Sequence, residues 1–123
     1  MVIHWTYSKT NLRASEVSRH ERSKARISND TIHIGGLERS PIFTHCITSD
    51  GRLFPLNYIK GEEIHLALIG GVDDDYKYKN TANSDQLFTL GNLVRFYMSM
   101  GETIQEGDLL NFNLEQWVKG ISK

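Results

Sequence analysis

Ile64-His65-Leu66-Ala67-Leu68-Ile69-Gly70-Gly71 decides how this chain folds. It is a short, nearly unbroken apolar run, too short for a typical helix. Glu62-Glu63 precedes it and a glycine pair ends it, which is the pattern of a strand buried on both faces at the centre of a sheet. The remaining segments arrange themselves around it. Val2 to Tyr7 alternate in a β-branched and aromatic pattern and read as an opening strand that carries His4. Ile42 to Ile47 is extended, Ser49-Asp50-Gly51 is a hairpin turn because Asp-Gly tolerates positive φ, and Arg52 to Leu56 returns.

Helices fill the intervals. Asn11 to Arg26 has good helix formers and few large apolar groups, so it reads as a mostly solvated helix broken by Ser28-Asn29-Asp30. Thr31 to Ile34 is a short extended piece before Gly35-Gly36 and a loop to Pro41. Asn83 with Gln86 three residues on is a capping arrangement, and Leu87, Leu90, Val94, Tyr97 and Met98 follow at helical spacing up to Gly101. That helix is expected to cover the sheet. Asn113 to Ile121 makes a terminal helix with Leu114, Trp117 and Val118 inward. Strands interleaved with helices predict an α/β fold, a single domain over residues 1–123 with a mixed central β-sheet and helices packed on its faces.

The 123 residues suffice for one core, and 39% hydrophobic with 24% charged residues is a globular composition. A net charge of -1 supplies no global field for nucleic acid or membrane, and Cys46, the single cysteine, excludes an intrachain disulfide framework. The N-terminal residues lack a basic leader and a long apolar stretch, so the expectation is a cytoplasmic protein with no signal peptide or transmembrane segment. Basic residues concentrate early, at Arg13, Arg19, His20, Arg22, Lys24 and Arg26. Such a face could dock on an acidic partner or a nucleic-acid backbone, but no aromatics interleave to stack on bases, and an ordinary charged helix face is the more usual reading. Asp73-Asp74-Asp75 lacks the spacing of a calcium loop and reads as a solvated acidic turn.

Ile64 to Asp74, the Gln86-Leu87 helix and Phe112-Asn113-Leu114-Glu115-Gln116-Trp117, with Ile3-His4 before them and Ser49-Asp50-Gly51 between, run in an order that resembles the zinc-dependent N-acetylmuramoyl-L-alanine amidases. That family has a peptidoglycan-recognition-protein-like fold. It includes short phage lysozymes that also inhibit the phage's own RNA polymerase. The resemblance implies a first zinc ligand at His4, although a strand histidine bonded to a neighbour fits the same residue. It implies two further ligands from the loop 101–112. Aligning on Phe112 puts Leu109 or Asp108 at the Cys/Asp position and Met100 or Gly101 at the His position, so the best set the loop offers is His4, Glu102 and Asp108. The family's catalytic Tyr or Glu falls on Phe43, which has a ring but no hydroxyl to donate or exchange a proton. Its catalytic Lys falls near Gly107, and the segment Leu53 to Glu63, which lines the family's substrate groove, is short.

A site relocated to His33, His45, Cys46 or His65 is also conceivable, but His45 and Cys46 are strand neighbours and face opposite sides. The resemblance therefore implies a catalytically degenerate phage amidase-like protein, without a cofactor unless the zinc site is retained. On this reading it binds a protein partner such as a polymerase or a host defence component, in the cytoplasm of an infected bacterium. A residual amidase cutting the MurNAc–L-Ala bond of peptidoglycan, and a structural virion component, are the alternatives.

Overall fold

The computed structural model describes residues 1–21, 43–56, 58 and 60–121. It is a small single-domain α/β protein, whose described residues build a five-stranded mixed sheet. The strands are β1 (Val2–Trp5), β2 (His45–Ile47), β3 (Leu53–Pro55), β4 (His65–Leu68) and β5 (Gln105–Glu106), in the order β3-β2-β4-β1-β5. The helices are α1 (Ser84–Ser99), α2 (Leu114–Ile121) and a 3-10 turn, Ala14–Glu16, that continues as helix through residues 17–21.

The apolar run predicted as the central strand is β4, which pairs in parallel with β2 on one side and β1 on the other. Only β3 runs antiparallel, returning from β2 through the Asp50-Gly51 turn, where Gly51 has φ +83°. Parallel neighbours require crossovers, and these put elements on both faces. On the first face Ile3, Trp5, Ile47, Leu66 and Leu68 pack under Leu90 and Val94 of α1 and Leu114 of α2. On the second, Cys46, Ala67 and Ile69 meet Val17 and Phe43. The alternation of β-strand side chains assigns His4 and His65 to this second face.

Local signals set the ends of α1. Asn83 Oδ1 accepts from the Gln86 N–H at 2.9 Å, and past the helix end Gly101 takes φ +81°. Gln86 does more than cap: fully buried, its Nε2 donates to the carbonyls of Ile47 and Ile69 at 3.3 and 3.0 Å, tying the helix start to β2 and the end of β4.

The structure differs from the sequence expectations in three places. The opening strand ends at Trp5, and Tyr7 takes φ +54°, so the chain turns before it reaches Ser8. The early helix begins at Ala14 instead of Asn11, because residues 10 and 11 form a turn, and its Val17 is fully buried although the segment reads as mostly solvated. Gln105–Glu106, read as loop, is the edge strand β5 beside β1. Two exposed polar residues have no apolar periodicity by which to be found. The expected break at 28–30, the extended piece 31–34 and the loop to Pro41 lie outside the described residues, as do Arg22, Lys24, Arg26 and His33.

Candidate functional site

His4 is only 6% exposed, between Ala67 of β4 and the residue that follows β5. That residue is Gly107, whose N–H donates to the Ile3 carbonyl at 2.9 Å. A Cβ at Gly107 would collide with the His4 ring and lie 2.8 Å from Val2 Cγ1. Glycine at 107 and alanine at 67 are what leave room for an imidazole on this face.

Both nitrogens of His4 are used inside the protein. The Asp108 backbone N–H donates to Nδ1 at 3.3 Å, and Nε2 lies 3.0 Å from Nδ1 of His65. An amide N–H can only donate, which assigns the lone pair to His4 Nδ1 and the proton to Nε2. His4 then donates to His65, and His65 keeps its own proton on Nε2. The two rings stack with centroids 5.2 Å apart, and Phe43 lies 5.4 Å away on the same face. Burial, joined by the neighbouring His65 and opposed by Asp108, lowers the His4 pKa to about 4, so the ring is neutral at physiological pH.

The surrounding groups are held as firmly. Glu21 accepts from the Phe43 N–H at 3.1 Å and His20 Nε2 bonds the Thr6 carbonyl at 3.0 Å, so the early helix is pinned over this face. Thr44 Oγ1 takes the His65 N–H at 3.0 Å. The carboxylate of Asp108 turns to Tyr7, whose hydroxyl donates to Oδ1 at 2.6 Å while accepting from the Leu110 N–H at 3.1 Å. Burial and this bond to a carboxylate raise the Tyr7 pKa, so its phenol stays protonated.

The structure brings together His4, Phe43, Gly107 and Asp108, four positions that the reading of the sequence singled out. Leu109, the other possibility for the Cys/Asp position, is buried in the core of the opposite face. Glu102 is exposed beyond the end of α1, its N–H bonded to the Tyr97 carbonyl, and among the described residues no group of three His, Cys, Asp or Glu side chains is arranged to hold a metal ion. His45 is turned to Thr44 and Tyr58, while Cys46 is fully buried with its thiol pKa raised to about 11. His65 is a residue the sequence reading weighs only in a relocated site with His33, His45 or Cys46, and sets aside there. It pairs with His4, and the signal lies in register, since a parallel β1–β4 pair with Val2 opposite His65 sets His4 one diagonal step away on the same face.

A three-ligand hydrolytic zinc centre needs ring lone pairs directed at a shared point and a third donor. The donor set does not fit that group. The lone pair of His4 is taken by a backbone N–H, its other nitrogen is protonated toward His65, and Asp108 is turned to Tyr7. Phe43, where the resemblance expects a hydroxyl or carboxyl for proton transfer, carries a phenyl ring. Of the basic residues expected to form a binding face, Arg13 is ion-paired with Glu16 and Arg19 is exposed nearby. Asp73 Oδ1 accepts the N–H groups of Asp75 and Lys77, so the acidic turn is closed by its own backbone. No protein-family model matches this sequence, and a comparison with curated proteins finds no match. Among the described residues no helix is long and apolar enough to cross a membrane.

Proposed function

We propose that this chain is an amidase-like scaffold that does not hydrolyse peptidoglycan and acts by binding and regulating a protein partner in the bacterial cytoplasm. The observation that carries the reading is the closure of the His4 site: His4 and Asp108 are adjacent, yet the ring of His4 is taken by His65 and a backbone N–H and the carboxylate of Asp108 by Tyr7. A mixed sheet with β4 at its centre supports the amidase resemblance at the level of architecture. A surface for a partner is available on α1, where Phe88 and Phe96 are 70% and 57% exposed on a helix whose other side covers the core. Large exposed aromatics on a small protein favour association.

Two measurements test it. Protein purified without a metal-affinity tag should contain no stoichiometric zinc and should fail to clear cell walls. About one zinc per chain, lost together with lytic activity in His4→Ala, overturns the proposal in favour of the amidase. For the binding arm, purified phage RNA polymerase should be inhibited in a transcription assay, and the inhibition should weaken in Phe88→Ser/Phe96→Ser. Unchanged transcription at saturating protein removes the polymerase as the partner.

A further inference from the structure

The chain leaving β1 and the hairpin leaving β2 enclose an open groove of about 560 Å³, lined among others by Arg13, Ser15, Thr48, Arg52 and Phe54 and by the carboxylate of Asp50. None of its lining residues belongs to the His4 cluster. It lies beyond the carboxyl ends of β1 and β2, where the chain after β1 packs over the Cys46 and Ala67 face and meets the β2–β3 hairpin. The volume falls in the range of small-molecule sites.

The lining has a definite chemistry. Arg13 Nε is held by Glu16 at 3.3 Å and Arg52 Nε by Asp50 at 3.2 Å. Asp50 is itself bonded by the Thr48 hydroxyl. These contacts steady each guanidinium from its Nε side, and among the described residues no hydrogen bond or ion pair engages the terminal Nη groups of either. Such forks take planar or tetrahedral oxyanions by paired hydrogen bonds. Phe54, on the edge strand and 36% exposed, adds an aromatic ring, while Asn11 and Ser15 add an amide and a hydroxyl group. With a net charge of -1 the chain has no field to hold a polyanion.

We propose that this groove binds a small organic phosphate bearing a flat ring, of mononucleotide size, with the phosphate on Arg13 and Arg52 and the ring on Phe54. A dianionic phosphate gains from both forks, and an aromatic face stacks any base. The site is independent of the amidase-like reading, so His4→Asn should leave its binding unchanged.

Isothermal titration of the full chain with AMP, CMP, GMP and UMP, alongside adenosine and inorganic phosphate, tests the proposal. At least one mononucleotide should saturate a single site, with adenosine and inorganic phosphate each weaker by about tenfold or more. The double variant Arg13→Gln/Arg52→Gln alters only exposed side chains and should lose about tenfold in mononucleotide affinity while its circular dichroism is retained. Phe54→Leu should weaken the nucleotide and leave inorganic phosphate unaffected. Absence of saturable binding for all four mononucleotides at millimolar concentration, or equal affinity in the double arginine variant, overturns it.

Discussion

Acid should destabilise this protein through His4, and the size of the effect follows from its burial. In the unfolded chain His4 has the ordinary pKa of 6.5, and in the folded protein it is lowered to about 4. Below 6.5 the unfolded state therefore binds a proton that the folded state refuses, so stability falls as pH falls. The loss begins near pH 6.5, amounts to about 2 kcal/mol at pH 5, reaches about 3 kcal/mol at pH 4, and levels off below that, from the linkage relation applied to these two values. The hydrogen bonds give the same sign. With Nδ1 accepting from Asp108 and Nε2 already protonated, a further proton on His4 has to displace the Asp108 N–H. Urea denaturation of the parent and of His4→Asn between pH 4 and 7.5 isolates the effect. The asparagine oxygen can still accept from the Asp108 N–H but does not titrate, and the remaining ionisable groups are common to both proteins. The parent should lose about 2 kcal/mol more than the variant between pH 7 and pH 5. Parallel pH profiles would refute the reasoning, because they would mean that His4 is as easily protonated folded as unfolded.

Three further outcomes are expected. Gly107→Ala drives a methyl group into the His4 ring and toward Val2, and should cost about 1–3 kcal/mol in urea denaturation; a change within about 0.5 kcal/mol, the range of ordinary surface substitutions, would show that the loop moves aside freely. Gln86→Leu removes a cap contact and leaves the Ile69 carbonyl without its side-chain donor, costing about 2 kcal/mol, against about 1 kcal/mol for Asn83→Ala, so equal losses would deny Gln86 its second role. Cys46, fully buried and with its thiol pKa pushed up to about 11, should resist Ellman's reagent at pH 8 until urea opens the fold. Labelling of the native protein at the rate of a free thiol would contradict that burial.

Much of the architecture was legible because its signals are local. The bounded apolar run gave β4 its central place, Asp50-Gly51 supplied the φ that a hairpin needs, and Asn83 with Gln86 marked the start of α1 within one residue. β5 escaped because Gln105 and Glu106 are held by the backbone of β1 and by nothing in their side chains. The buried side of the early helix escaped for a related reason: Leu12, Ala14 and Val17 are too few to mark an apolar stripe, and Val17 becomes core only when β2 and β4 lie beneath it.

The candidate site divides in the same way. Residue types alone determined that Phe43 has no proton to exchange, that Gly107 has no amine, and that the loop 101–112 contains no histidine. These are statements about which functional groups exist, and folding cannot change them. Which groups meet was decided only in three dimensions. His65 lies 61 residues from His4 and is brought to it by the register of two parallel strands, and Asp108 meets Tyr7 across a separation of 101 residues, just past the end of β1. Hydrogen bonds act over about 3 Å, whereas the sequence orders residues along a chain that crosses the sheet several times, so the pairing of polar atoms at His4 belongs to the tertiary structure.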